Sequence, residues 1–161
     1  MSENPSPYVS PLMDLKKDWI DYNGHLNMAY YNVLFDQGSD GAFAEIGLGP
    51  DYIKERNLTF YTAEAHVRYV REIHLGDRVR VTIQFVDFDT KRVHAYSELH
   101  HEDGWLSATC ETMSLHIDMS GPKVAPFPDD VFKKLQTVAQ RHASVPRSDN
   151  IGRSIGIVRK G

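Results

Sequence analysis

Two adjoining stretches decide the fold of this chain: "DWIDYNGHLN", residues 18–27, and "NMAYYNVLFDQGSDGAFAEIGLGP", residues 27–50. In the second, apolar and small residues recur at the three- and four-residue intervals of one helix face: Tyr31, Leu34, Phe35, Gly38, Ala42 and Ile46. The pattern predicts an amphipathic helix of about five turns, closed by the glycines and proline of residues 47–50. Gly38 and Gly41 each cost about 1 kcal/mol inside a helix, so we expect their small surface to let a sheet approach and the helix to be buried.

Alternating apolar and polar residues predict four long strands between residues 58 and 118. In "TFYTAEAHVRYVREI", residues 59–73, one predicted face holds Tyr61, Ala63, Ala65, Val67 and Tyr69, and the other holds Thr62, Glu64, His66 and Arg68. In the last strand the alternation changes parity after Cys110, which predicts a bulge near Glu111 or Thr112. Strands joined by short turns form an antiparallel meander, and the economical packing wraps this sheet around the long helix. The predicted fold class is therefore α+β.

The two ends of the chain have a different character. Pro5, Pro7 and Pro11 predict an irregular or edge-like start. A second, more exposed helix is expected at about residues 128–142, with Val131 and Leu135 on its apolar side, as well as Val138. Residues 143–161 are polar, basic and irregular. We therefore expect one domain over residues 1–142, followed by a basic tail over residues 143–161.

Composition excludes several classes of protein. Hydrophobic residues make up 41% of the 161 residues, enough for a real core. A net charge of −4, from 18 basic and 22 acidic residues, argues against bulk nucleic-acid binding. One cysteine, Cys110, excludes an internal disulfide, and neither a signal-peptide pattern nor an apolar stretch of about 20 residues is present. We expect a cytoplasmic protein that binds neither nucleic acid nor a membrane.

Three motifs carry a family resemblance. In chain order they are "DYNGHLNMAYYNVLFDQG" at residues 21–38, "VRYVREIHLGDRV" at residues 67–79 and "ETMSLHID" at residues 111–118. Together they resemble the hotdog-fold acyl-CoA thioesterases of the 4-hydroxybenzoyl-CoA thioesterase type. Asp-x-x-Gly-His-x-Asn before a long helix is the specific part of the likeness. Residues 18–27 with "TAEAHVRYVREIHLGD", residues 62–77, are most similar to the betainyl-CoA thioesterases of carnitine breakdown.

The resemblance implies a hotdog fold that hydrolyses a small acyl-CoA. It places Asp21 at the acyl carbonyl, as nucleophile or as general base for water. It also implies an active site between two subunits, and hence a homodimer or a dimer of dimers. Coenzyme A enters as part of the substrate, so no separate cofactor is expected.

The residues themselves support a catalytic interpretation of this loop. A carboxylate can attack a thioester or deprotonate water, and the N–H groups at a helix N-terminus stabilise an oxyanion. Asp21 precedes the helix, and Gly24 permits close backbone approach. Alternatively, Asp21 or Asn23 only caps the helix. His25 and Asn27 complete the candidate catalytic set, with Asn27 also the predicted N-cap; Asp18 is interpreted as a surface or supporting carboxylate.

A second group of residues is predicted to bind the acyl group. Aromatic faces hold quaternary ammonium groups by cation–π attraction, which points to the loop residues Trp19 and Tyr22, together with Tyr30. Glu64 and His66 are predicted to line the acyl pocket, with Glu64 facing the cationic group. The alternative for Glu64 is an ion pair with Arg68 or an exposed strand face.

Other candidate sites are weaker. The eight histidines show no metal-ligand spacing, so no metal site is expected. Cys110 is interpreted as a buried hydrophobe. The basic residues of the tail, Arg147, Arg153, Arg159 and Lys160, are expected to be solvated rather than bound to coenzyme A phosphates. Two other functions stay open: a non-catalytic module that binds acyl thioesters, and a hydratase or dehydratase that uses the Asp21/His25 pair.

Overall fold

A computed structural model describes residues 6–161, which form one antiparallel sheet with helices packed on it. The strands are β1 (Tyr8–Val9), β2 (Met13–Asp14), β3 (Leu58–Tyr69), β4 (Arg78–Phe88), β5 (Arg92–His101), β6 (Leu106–Asp118) and β7 (Lys123–Val124). The helices are α1 (Met28–Glu45), α2 (Pro50–Arg56) and α3 (Asp129–His142), and a 3₁₀ turn spans Lys17–Trp19. The four long strands and the two predicted helices are confirmed. Pro5 lies outside the described residues.

Helix α2 was not predicted, because the glycines and proline of residues 47–50 were interpreted only as the end of α1. Pro50 instead begins a new helix, in whose first turn its missing N–H is no loss. Asn57 ends α2 in the left-handed conformation, with φ of 54°, and turns the chain into β3.

The sheet order is β1-β4-β5-β6-β3, with β2 beside β4 and β7 beside β6. The predicted meander is therefore right for β4, β5 and β6 but wrong for β3, which pairs with β6 at the far edge. The connection over residues 70–77 crosses the end of the sheet. Its first two amides, from Val70 and Arg71, donate to the Ser107 carbonyl oxygen at 2.9 and 3.0 Å. Among the described strands β3 has one neighbour, so its outer edge is unpaired.

The predicted bulge near Glu111 or Thr112 is wrong. The extra residues are Ala63 in β3, opposite the step from Ser114 to Met113, Val86 in β4 and Ser107 in β6. An extra residue reverses the side to which every later side chain points. The predicted faces of β3 are accordingly right for Glu64, His66 and Arg68, which face away from α1, but wrong for Thr62, which faces α1.

Helix α1 lies buried across the sheet, as its spacing predicts. Its buried residues are Tyr31, Leu34, Phe35, Gly38, Ala42 and Phe43, followed by Ile46 at the C-cap. At Gly38, an added Cβ would lie 2.5 Å from both the Cβ and one Cγ of Val81 on β4. Because this distance is shorter than any real contact, only glycine allows the α1 backbone to approach β4 this closely.

Helix α3 covers β4 with Val131, Leu135 and Val138, as predicted. The tail after α3 then crosses the face of the sheet opposite α1. Ser148 donates to the Tyr96 hydroxyl at 3.1 Å, and the Gly152 amide donates to Glu111 at 2.7 Å. The tail is therefore anchored as far as residue 152, whereas residues 153–161 are exposed, as are the side chains of the four basic residues. No helix within residues 6–161 is long and apolar enough to cross a membrane.

We predict that Gly38→Ala lowers the free energy of unfolding by about 1–3 kcal/mol, the usual cost of overpacking a core. The gain in helix propensity of about 1 kcal/mol does not offset a clash with the branched Val81 side chain. Urea unfolding followed by circular dichroism measures the difference. Gly121→Ala is the control, because its added Cβ meets nothing within 4 Å. A Gly38→Ala variant as stable as the parent would show that α1 does not rest on β4 in this way.

Candidate active site

The loop before α1 folds back on itself. Ile20 pairs with Leu26 in an isolated β-bridge. The Asp21 amide donates to the His25 carbonyl oxygen, and the Gly24 amide donates to the Asp21 carbonyl oxygen, both at 3.0 Å. Gly24 closes the turn with φ of 84°, a conformation that glycine adopts without strain. The backbone of the Asp-x-x-Gly-His motif is thereby fixed by its own hydrogen bonds.

The crossover connection holds this loop from outside. The Leu26 amide donates to the Ile73 carbonyl oxygen at 2.9 Å, and both side chains are buried. His25 forms a bridge with His74 in the same connection. On the other side, the Asn27 amide donates to the Trp19 carbonyl oxygen at 2.9 Å. The loop therefore lies between two segments that are distant from each other in the sequence.

The two polar residues of the motif have different local roles. Asn27 caps α1, accepting from the Ala29 amide at 3.0 Å, as predicted. Asp21 does not cap α1. Its Oδ1 accepts from the Asn23 amide at 2.8 Å, and its Oδ2 lies 3.8 Å from His25 Nδ1. The alternative that Asp21 or Asn23 serves as the helix cap is therefore wrong.

Asp21 lies in an open pocket of about 450 Å³ at the N-terminus of α1. Its carboxylate is only 16% exposed, and His25 links it to Glu72, whose Oε2 is 3.5 Å from His25 Nε2. The structure thus brings together four of the predicted residues: Asp21, Tyr22, His25 and Asn27. Gly24 is not among the lining residues; it shapes the turn that carries Asp21.

The opposite wall of the pocket was not predicted. Tyr31 and Tyr69 meet edge to face, with ring centroids 4.9 Å apart, and Tyr69 donates to the Met28 carbonyl oxygen at 3.1 Å. Burial raises the pKa of both phenols, so both stay protonated donors at neutral pH. Arg71 and Glu72 complete this wall. The only signal for Tyr69, Arg71 and Glu72 was their position in the second motif, residues 67–79.

The first turn of α1 offers a free donor to this pocket. Ala29 donates its amide to the cap, and Tyr30 donates its amide to the Asn27 carbonyl oxygen at 3.0 Å. The Met28 amide has no partner within residues 6–161, and Met28 lines the pocket. An unpaired amide at the positive end of an 18-residue helix can stabilise an oxyanion.

Trp19 and Tyr30 do not line the pocket. Trp19 is 8% exposed and stacks on Tyr30, with centroids 5.6 Å apart and nearly parallel planes. The ammonium of Lys16 already lies 5.2 Å from the Trp19 ring centroid. Within one copy of the chain the Trp19 ring packs against Tyr30 beneath the loop, and its part in a substrate cage stays a prediction. Tyr22, at 98% exposed, lies at the mouth of the pocket.

Glu64 and His66 are not beside Asp21 either. They line a separate depression on the face of the sheet away from α1, together with His94, Glu111 and Arg153. There His94 Nε2 lies 2.8 Å from Glu111 Oε2. Arg68 bonds to Asn150 of the tail, and no Glu64–Arg68 ion pair forms among the described residues. The position of the Glu64 side chain therefore fits the interpretation as part of an exposed strand face.

Within residues 6–161, no group of three or more His, Cys, Asp or Glu side chains is placed to hold a metal ion. Cys110 is buried below α1, as predicted, and burial raises its pKa to about 11. Its thiol is therefore protonated at neutral pH and a poor nucleophile.

Known proteins are similar to this chain in sequence and in architecture. The sequence profile of the thioesterase-like superfamily matches residues 15–135. A betainyl-CoA thioesterase from Pseudomonas aeruginosa is 33% identical over 158 residues, 98% of either chain. An L-carnitine dehydrogenase/betainyl-CoA thioesterase from Rhizobium meliloti is 36% identical over 148 residues, which are 90% of this chain and 30% of that protein.

Two solved structures are similar over nearly the whole chain. A hypothetical protein from Staphylococcus aureus, solved in complex with CoA, has a TM-score of 0.88 and 26% identity, and the match covers 98% of this chain and 100% of that one. A candidate thioesterase from Pseudomonas putida has a TM-score of 0.82 and 31% identity, with 95% and 98% covered.

Proposed function

The chain belongs to the thioesterase-like superfamily and is an acyl-CoA thioesterase with the hotdog fold, and from this premise we propose that it hydrolyses betainyl-CoA to betaine and coenzyme A with Asp21 as the catalytic carboxylate. The supporting observation for Asp21 is its position. One carboxylate oxygen accepts from the Asn23 amide, and the other lies 3.8 Å from His25 Nδ1, in the pocket that Met28 also lines. Support for the betainyl group comes from the named relatives.

In the proposed reaction the thioester oxygen accepts from the Met28 amide, where the negative charge of the tetrahedral intermediate develops. Asp21 Oδ2 either attacks the carbonyl carbon, giving an acyl anhydride and the CoA thiolate, or removes a proton from an attacking water. In the first route, water then cleaves the anhydride and regenerates the carboxylate. A thiol has a pKa of about 8.5, so the thiolate leaves without strong acid assistance.

His25 and Glu72 have a supporting role in this proposal. His25 Nδ1 lies 3.8 Å from the reacting Asp21 oxygen, and its other nitrogen lies near Glu72. Glu72 holds the imidazole in place against the Asp21 carboxylate. The reaction uses a carboxylate and water, so the proposal includes no cofactor beyond the coenzyme A of the substrate. A reducing, cytoplasmic location fits the one buried free thiol.

We also propose a homodimer formed through β3. This 12-residue strand has one neighbour among the described strands, and its residues 61–65 are exposed. A long unpaired edge attracts a second strand, and a two-fold axis lets two copies of β3 pair antiparallel to each other. Such pairing would join two sheets into one, with both α1 helices on the same face.

We predict that Asp21→Asn retains the fold but lowers kcat with betainyl-CoA by about 100-fold or more, the scale for removing a general base or nucleophile. Release of free thiol measures the rate. Asp18→Asn is the matched control, because Asp18 is an exposed carboxylate three residues upstream that does not line the pocket. Parental turnover by Asp21→Asn, with mass spectrometry excluding deamidation to aspartate, would remove Asp21 from the mechanism.

The dimer is tested at the bulge residue of β3. Ala63 has no register partner in β6, so Ala63→Pro changes no paired residue of β3 and places a proline within its exposed residues 61–65. We expect light scattering to give twice the 18.3 kDa chain mass for the parent at micromolar concentration. The proline variant should dissociate at a concentration at least 10-fold higher, whereas Ala63→Val, which keeps the N–H, should not. An active parental monomer under these conditions would contradict the dimer.

A further inference from the structure

A second cleft, of about 320 Å³, separates α1 from β3 and β6. It shares no lining residue with the Asp21 pocket. The Asp21 pocket borders Tyr31 on α1 and Tyr69 on β3, whereas the cleft borders Phe35, one helical turn further along α1, and Phe60 near the other end of β3. The proposed reaction leaves this cleft unused.

The floor of the cleft is polar where a hydrophobic core would be expected. Ser97 of β5 and Ser114 of β6 line it, each only 4% exposed, and Thr112 of β6 lines it as well. Both serine side chains border the cleft, so their hydroxyls are available to a ligand there. Side chains as small as serine also leave space above the sheet. The floor is therefore suited to a small ligand with some polar character.

The wall formed by α1 is negatively charged. Asp36 and Asp40 lie one helical turn apart on the cleft, and like charges at this spacing repel each other. No basic side chain within residues 6–161 lies within 4 Å of either, and α1 contains no lysine or arginine. Burial, and then the charge of Asp36, raises the pKa of the Asp40 carboxyl. A cation in the cleft would relieve this repulsion.

Aromatic rings supply the remaining wall. Phe35 lines the cleft beside the carboxylates, and Phe43 stacks on Phe60 with centroids 4.3 Å apart. A quaternary ammonium group has no N–H to donate, so aromatic faces and carboxylates are the groups that recognise it. The cleft combines both.

We propose that this cleft holds the quaternary ammonium end of the acyl group, with Asp36 and Asp40 as its counter-charges. The assignment rests on the proposed thioesterase function and adds its specificity determinant. It also moves cation recognition from Glu64, on the opposite face of the sheet, to the α1 side on which Asp21 lies.

The reach of the acyl group requires two copies of the chain. From Asn27 to Asp36, α1 rises by about 13 Å, whereas a betainyl group extends about 4 Å from its carbonyl carbon. Antiparallel pairing of two β3 strands brings the Tyr69 end of one copy beside the Phe60 end of the other. Each active site is then shared between two copies, as the resemblance to the hotdog thioesterases implies, and the new assignment is that Asp21 comes from one copy and Asp36 with Asp40 from the other.

The specificity test compares betainyl-CoA with tert-butylacetyl-CoA, in which carbon replaces the cationic nitrogen. In Asp36→Asn/Asp40→Asn we expect the ratio of kcat/KM for the two substrates to fall at least 10-fold. Asp51→Asn/Glu55→Gln removes the same charge from exposed positions on α2 and should leave the ratio unchanged. An unchanged ratio in the Asp36/Asp40 variant, or a fall caused by Glu64→Gln instead, overturns the assignment. If the parent hydrolyses neither substrate, the proposed function itself has failed.

The composite site is tested by mixing two defective chains. Asp21→Asn and Asp36→Asn/Asp40→Asn are unfolded together in equal amounts and refolded, so that half of the dimers contain one chain of each kind. In a composite arrangement such a dimer has one intact site, and betainyl-CoA hydrolysis returns to about a quarter of the parental rate. If each site lies within one chain, no dimer has an intact site and activity stays at the sum of the separate variants. That result overturns the composite site.

Discussion

The contact between the α1 backbone at Gly38 and the Val81 side chain of β4 sets the position of α1, and with it the positions of the Asp21 pocket and of the cleft above β3 and β6. It presses an 18-residue helix flat against the sheet. The direction of that helix then fixes where its positive N-terminus opens, where its acidic C-terminal half lies, and how much room is left above β3 and β6. A side chain at residue 38 would lift the helix and change all three together. Glycine, which weakens an isolated helix, is here the residue that allows the site to form.

A second constraint, the crossover of residues 70–77, places the Asp21 loop. Because β3 lies at the far edge of the sheet, its connection to β4 must pass the ends of β6 and β5, and there it pairs with Leu26 and His25. The pocket is therefore built from a loop and a connection that are about fifty residues apart in the sequence. Both walls are tied to the sheet by backbone hydrogen bonds, so the position of Asp21 depends little on the side chains around it.

The sequence patterns predicted those features of the fold that depend only on a few neighbouring residues. The period of α1, the Asn27 cap and the four long strands follow from spacing and capping chemistry over a few residues, and all are present. The place of β3 in the sheet depends on a pairing with β6 that no local pattern contains. The face on which Thr62 lies relative to Glu64 depends on one extra residue, Ala63, which reverses the alternation. The stacking of Trp19 on Tyr30 and the approach of Lys16 are also tertiary contacts, which the pattern of residues 18–27 does not contain.

The charges along α1 match the charges of the proposed transition state. Hydrolysis of a betainyl thioester develops a negative oxygen about 4 Å from a permanent positive nitrogen. The site must therefore offer a positive group to the oxygen and a negative group to the nitrogen within a short distance. A single helix offers a positive N-terminus and an acidic C-terminal half, but they are too far apart for so short a group. In the proposed dimer the two α1 helices run antiparallel, so the positive N-terminus of one helix lies beside the acidic half of the other. In this proposal, formation of the dimer places the two charges side by side, and specificity for a cationic acyl group follows from how the two copies pair.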